Sequence, residues 1–133
     1  DMYYSGSADW DAIAEIVEAL DIPVIANGDV HSRQDYDAIT AHTKAYGVMI
    51  ARGALGNPDI FAQIKGLPPM GKKEAIRLHL ETMLKYHPEK KVVADIKKHF
   101  ACYLKGVPGG KDMKNIAFGA SDIDTITELI HSL

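Results

Sequence analysis

IPVIANGD, residues Ile22 to Asp29, is a short apolar run that closes on small and polar residues, and GVMIARGALGNP, Gly47 to Pro58, follows the same pattern. In the first, Ile22, Val24 and Ile25 read as a strand buried on both faces, because a parallel strand covered by helices is near-continuously apolar. It closes at Asn27-Gly28-Asp29. In the second, Val48, Met49 and Ile50 form the same kind of strand and end at Ala51-Arg52-Gly53. The two lie close to one βαβ period apart, with a helical pattern between them. Parallel neighbours that both end in Gly-containing loops put free backbone N–H groups at one sheet edge, where α/β folds bind phosphorylated ligands.

Working outward, Met2–Ala8 reads as a loop with Ser5-Gly6-Ser7 as turn material. Asp9 or Ser7 can cap a helix whose apolar positions are Ile13, Ile16, Val17 and Leu20. After the first strand, Ser32 with Asp35 three residues on resembles a capping box for a helix that turns Tyr36, Ala38 and Ile39 inward and ends near Thr43. After the second strand, Asn57-Pro58 offers an N-cap followed by proline at the first helical position, and Ile60, Phe61 and Ile64 carry a short helix to Gly66.

GLPPMG, Gly66–Gly71, cannot continue a helix and reads as a domain boundary. Beyond it only helical spacing remains. Ile76, Leu80, Met83 and Leu84 mark one helix that Pro88 terminates, and Val92, Val93, Ile96, Phe100, Tyr103 and Leu104 mark another ending at Gly106. A short helix around Met113 and Ile116 stops at Gly119; Ser121 caps the last, whose stripe is Ile123, Ile126, Leu129 and Ile130. The expected architecture is α/β: the last strands and helices of a TIM-type (β/α)8 barrel over 1–66, a linker at 67–71 and a small all-α helical bundle over 72–133.

At 133 residues, with 47% apolar and 25% charged residues, the chain is an ordinary globular sequence. It is too short for a whole barrel, for which about 250 residues is usual, and it begins at Asp1 without Met, as an excised piece would. The single cysteine, Cys102, forms no internal disulfide and no Cys/His metal pattern, so a reducing cytoplasm is the expected setting. No apolar run approaches the roughly 20 residues of a membrane span, and no signal peptide is read at the start. The net charge of −3 is unevenly spread. Nine acidic residues from Asp1 to Asp37 face Arg33 alone, whereas Lys85, Lys90, Lys91, Lys97, Lys98, Lys105, Lys111 and Lys114 face only Glu89, Asp95 and Asp112. Opposite signs in two halves suggest two tasks.

YSGSADW, IPVIANGD, GVMIARGALGNPDIF and KKHFACYLKGVPGG, in this order and at these spacings, resemble the tRNA-dihydrouridine synthases over nearly the whole chain. The resemblance implies the C-terminal piece of such an enzyme, in which FMN, reduced by NADPH, delivers hydride to a uracil ring and a cysteine on an earlier barrel loop supplies the proton. It implies Asn27, Gly28 and Asp29 as the first phosphate loop of the flavin seat and Ala51, Arg52 and Gly53 as the second. It also implies tRNA as partner, with Lys97, Lys98, His99 and Lys105 on the RNA side of a helical tRNA-binding domain. The family usually has glycine where Ala51 stands, and arginine is commoner at Lys97. The resemblance places the proton donor on strands before residue 1, so no catalytic residue is expected in this chain, and the piece alone is expected to be inactive and to need the missing N-terminal strands. Cys102, beside Phe100, Tyr103 and Leu104, reads as a packed thiol.

Plainer roles stand beside these. Gly28 and Gly53 also suit turns, Asp29 a helix cap, Arg52 a surface ion pair, the lysines a solvated face and His99 a core histidine bonded to a carbonyl. Two other classes share parts of the pattern: a dihydroorotate-type or other phosphate-binding barrel oxidoreductase, and a non-catalytic RNA-binding helical module. KKH and YLKG in the tail argue against the first; flavin binding separates the second.

Overall fold

The computed structural model describes residues 7–133, which fall into two units. One takes the residues up to Ala54 together with Asp59–Pro68, and the other takes Leu55–Pro58 and Pro69–Leu133. Most of the loop expected over Met2–Ala8 lies outside the described residues.

In the first unit, α1 (Trp10–Ala19) is capped by Asp9, whose carboxylate accepts the Ala12 N–H at 3.0 Å. Helix α2 (Arg33–Thr43) starts at Ser32, which accepts the Asp35 N–H at 3.1 Å, while the Asp35 carboxylate reaches back to the His31 N–H at 2.9 Å. That reciprocal pair satisfies two N–H groups which a helix start otherwise leaves open. The bonds to the His31 N–H and the Ser32 hydroxyl hold the Asp35 carboxyl below its ordinary pKa. Strands β1 (Ile25–Asn27) and β2 (Gly47–Met49) pair in parallel, with Ile25 opposite Gly47, Ala26 opposite Val48 and Asn27 opposite Met49.

Period-two alternation then sorts the sheet's two faces. Ala26 and Val48 join Trp10, Ile13, Val17, Tyr36, Ile39 and Ala45 in one small core under α1 and α2. Ile25 and Met49 lie on the opposite face and are 54% and 53% exposed. Burial on both faces, expected from the apolar runs, is therefore not found: helices cover one side of this two-stranded sheet, and no described segment covers the other. The strands are also shorter than the apolar runs, and Ile22 is exposed.

Helix α3 (Ile60–Lys65) ends at Gly66 in the left-handed conformation and is tied to α2 by the Arg33 guanidinium, which donates to the Ile64 carbonyl at 2.8 Å. It starts after Asp59, so Asn57-Pro58 does not cap it and belongs to the preceding turn.

The second unit contains α4 (Lys72–Tyr86), α5 (Glu89–Tyr103), α6 (Gly110–Gly119) and α7 (Ile123–His131). They share a core of Ile76, Leu80, Val92, Ile96, Phe100, Leu104, Ala117, Ile126 and Ile130, with Met83 and Met113 packed against it. Fully buried side chains such as Phe100 and Ile126 each contribute about 1.5–3 kcal/mol through burial. In α6 Ile116 is exposed and Ala117 is buried. Gly56 also belongs to this unit, with φ of 72°; a Cβ there would lie 2.4 Å from the Cys102 carbonyl oxygen, so the turn approaches the end of α5 more closely than any side chain allows. No helix among the described residues is long and apolar enough to cross a membrane.

The cap of α7 is Asp122, not Ser121: its carboxylate accepts both the N–H and the hydroxyl of Thr125 at 2.8 Å. Two bonds to the same side chain outcompete the single hydroxyl of Ser121. Asp122→Ala is expected to destabilise this unit by about 1 kcal/mol, and Ser121→Ala to be nearly neutral, in urea denaturation followed by circular dichroism. Because the Thr125 N–H and then its hydroxyl hold the Asp122 carboxyl below its ordinary range, the cap is fully effective above about pH 4 and fades as pH falls through the lowered value. The difference between wild type and variant should therefore shrink in acid.

Candidate functional site

Because β1 and β2 are parallel neighbours in register, the segments that leave them, Asn27-Gly28-Asp29 and Ala51-Arg52-Gly53, emerge at the same sheet edge. Asp29 joins them. Its Oδ2 accepts the Ala8 N–H at 2.7 Å and its Oδ1 accepts from Arg52 Nη2 at 2.8 Å. Asp29 has φ of 53°, in the left-handed region that Asp and Asn tolerate better than other side chains. Anchoring the carboxylate from both sides holds the backbone in a conformation that costs about 1–2 kcal/mol.

The Arg52 side chain is 50% exposed and that of Asp29 29%. At that exposure an ion pair contributes about 0–1 kcal/mol, so its main effect is to fix the direction of the guanidinium. Arg52 also opens a 3-10 turn, Arg52–Ala54, that sets its backbone.

Each glycine has a specific steric duty. A Cβ on Gly53 would lie 2.0 Å from the Val30 carbonyl oxygen, so the second loop rests directly on the backbone that follows the first. A Cβ on Gly28 would lie 2.2 Å from Ala8 Cβ and 3.7 Å from Trp10 Nε1. Neither glycine has a positive φ; both are required for close approach, not for a left-handed turn. Ala51 is exposed and not at positive φ, so its methyl group introduces no backbone strain. Asn27 is exposed at the same edge.

The basic residues of the second unit divide into different environments. Lys97, read as an RNA-side residue, donates its ammonium to the Phe118 and Ala120 carbonyls at the C-terminal end of α6. A cation there satisfies carbonyls left open by the helix and complements its dipole. Lys98 is 77% exposed, with Asp95 at 3.6 Å. Asp95 is shared with Lys91 at 2.7 Å, and that bond is the main cause of its lowered pKa. Lys105 is exposed, and its carbonyl accepts from Lys72 at 3.1 Å. His99 is half-buried. Cys102 is half-buried, and its thiol donates along the helix to the Lys98 carbonyl.

Sequence reading missed the partner of His99. His79 of α4 meets it edge-on, with ring centroids 4.7 Å apart, and Tyr103 Oη lies 3.3 Å from His79 Nδ1. The spacing of His99 and Tyr103 along α5 was visible; only helix packing brings His79 to them. Among the described residues no group of three or more His, Cys, Asp or Glu could hold a metal ion.

The sequence profile of the family described as Dihydrouridine synthase (Dus) matches residues 1–131. A probable tRNA-dihydrouridine synthase of Mycobacterium leprae (strain TN) is 35% identical, covering 98% of this chain and 37% of that protein. A probable tRNA-dihydrouridine synthase of Aquifex aeolicus (strain VF5) is 33% identical over 96% of this chain and 42% of its own length. tRNA-dihydrouridine synthase B of Xanthomonas axonopodis pv. citri (strain 306) is 34% identical over 93% of this chain and 40% of its own length. The chain belongs to the dihydrouridine synthase family. It spans about two fifths of the length of these relatives.

Since a backbone carbonyl occupies the space a Gly53 side chain would need, Gly53→Ala must push the two loops apart. The expected loss is about 1–3 kcal/mol, read by chemical denaturation of the first unit. A fully stable variant would show that the loops separate without cost.

Proposed function

We propose that this chain works as the C-terminal part of a tRNA-dihydrouridine synthase that reduces uridine to 5,6-dihydrouridine with FMN and NADPH. In this reading residues 1–66 complete an FMN-binding (β/α)8 barrel, 67–71 form a linker, and 72–133 dock tRNA in the cytoplasm. The observation that carries it is the pair of loops at one parallel sheet edge, linked by Asp29 and Arg52, in a chain whose sequence matches the family over residues 1–131.

The residues present fit a flavin phosphate. Arg52 keeps half its side chain exposed while one Nη is anchored on Asp29, so the guanidinium is oriented for a charge-assisted bond. The loops that carry the Gly28, Arg52 and Gly53 N–H groups leave neighbouring parallel strands at the same edge. Asp29 carries like charge to a phosphate; its task is to orient Arg52, which offsets that charge. Asn27 adds an exposed amide and Ala51 an exposed methyl at the mouth. When bound, the flavin supplies the hydride for the uracil ring. In this reading the chain provides part of its seat, while Cys102 belongs to the helical unit and donates to its own helix. The open sheet face with Ile25 and Met49 suits coverage by the remaining strands of the barrel.

On the RNA side, Lys98, His99 and Lys105 meet the backbone in this reading, and Lys97 serves it by fixing α6 against α5.

In the full-length enzyme, Arg52→Ala is expected to weaken FMN retention about 10- to 100-fold, the effect of losing a charged hydrogen bond of about 1.5–3 kcal/mol. Asp29→Asn, which keeps the left-handed backbone but loosens the arginine, should have a smaller effect. Flavin fluorescence after gel filtration reads both, and unchanged occupancy in Arg52→Ala would remove it from the seat. For RNA, Lys98→Glu with Lys105→Glu should lower tRNA affinity and reduce the slope of log K against log salt by about one for each phosphate no longer neutralised. Lys97→Met should lower helix stability more than that slope; equal slope changes would make Lys97 a direct phosphate ligand.

A further inference from the structure

His79 and His99 come from neighbouring helices and meet at 4.7 Å between ring centroids, each ring half-buried and partly open to solvent. Tyr103 completes the cluster, its hydroxyl 3.3 Å from His79 Nδ1. Burial raises the Tyr103 pKa, so the phenol stays protonated. The hydroxyl and Nδ1 are within hydrogen-bond reach, the donor being set by the imidazole tautomer.

The surroundings decide what such a pair can do. From α5, His79 faces His99 and Tyr103; Asp95, one turn before His99, is engaged by Lys91 and Lys98. Helix α7 also packs against α4, and one turn away from His79 along α4 stand Ala75 and Met83. None of the described ion pairs joins a carboxylate to either imidazole. Burial first, and His99 second, hold the His79 pKa below its ordinary value. That neither ring has a carboxylate partner among the described ion pairs leaves room for a bound anion beside the pair. Exposed Lys98, adjacent in sequence to His99, carries positive charge on the same helix.

We propose that His79 and His99 together hold one phosphodiester of bound RNA, the pair taking up a proton from solvent as the RNA docks. The site rests on the tRNA-docking reading of Lys98 and Lys105 and adds His79 to it. A phosphodiester remains anionic throughout the range in which histidine titrates, so it supplies the missing counter-charge without itself changing protonation. Binding therefore strengthens as pH falls, because the bound state holds the extra proton more tightly than the free state. No covalent step is involved.

The test is a pH titration of the histidine ring resonances of the full-length enzyme by NMR, alone, with unmodified tRNA and with inorganic phosphate, alongside tRNA affinity between pH 6 and 8. The expected result is a rise of about one unit in the pKa of His79 or His99 with tRNA, and affinity up to about tenfold tighter at pH 6 than at pH 8. His79→Gln should weaken tRNA binding more at pH 6 than at pH 8 and so flatten the pH dependence. Tyr103→Phe, a second variant that keeps the ring packing, should shift the pH midpoint of binding, since Nδ1 loses its hydroxyl partner. Salt-sensitive tRNA binding with both ring titrations unchanged would overturn this site and leave the docking reading standing. Equal shifts with inorganic phosphate at the same concentration would overturn the RNA assignment. Absence of tRNA binding at every pH would overturn the docking reading and this site with it.

Discussion

An aspartate in the left-handed conformation and an arginine on the next loop, Asp29 and Arg52, meet at 2.8 Å, and the local order of the first unit converges on that contact. The pair itself adds little stability at its exposure. What it adds is direction: the carboxylate is fixed by the Ala8 N–H, the guanidinium is fixed by the carboxylate, and both lie where parallel strands end in register. The glycines make this geometry sterically feasible. Gly53 lets one loop touch the backbone after the other, and Gly28 lets Ala8 close in from the start of α1. The same elements that pack the loops therefore orient the groups that would meet a phosphate.

The second unit handles charge differently. Several of its cations are already committed: Lys97 to the end of α6, Lys72 and Lys73 to the Lys105 and His131 carbonyls, and Arg77 to Glu74 and Glu81. Arg77 raises its own pKa by that pairing and lowers that of Glu74. A basic stretch in sequence is thus partly a set of helix ties. Lys98 is far more exposed, and any salt-dependent RNA affinity rests on such residues rather than on the count of lysines.

Much of this was legible in the sequence where local rules decide. Ser32 and Asp35 announced the start of α2 because a cap is a contact between residues three apart. The stripes of α5 and α7 read correctly because Phe100 and Ile126 have no polar alternative to burial. IPVIANGD located a strand and the loop after it, and the dihydrouridine synthase resemblance matched the family found by comparison. The reading failed where a competing group or a distant partner decides. Asp122 displaced Ser121 because it accepts two bonds from Thr125. Apolar strands did not imply two buried faces, since burial depends on what lies opposite. The tie of Lys97 to α6, the contact of Gly53 with Val30 and the pairing of His79 with His99 span separations that no local pattern encodes.

The central claim is that the two loops linked by Asp29 and Arg52 form one seat for a phosphate. It is tested most directly by backbone amide NMR of the full-length enzyme during titration with FMN and, separately, with riboflavin, which lacks the phosphate. The account predicts that the amides of Gly28, Asp29, Arg52 and Gly53 move together with FMN and stay in place with riboflavin. Equal shifts with both ligands, or shifts confined to one of the two loops, would contradict it.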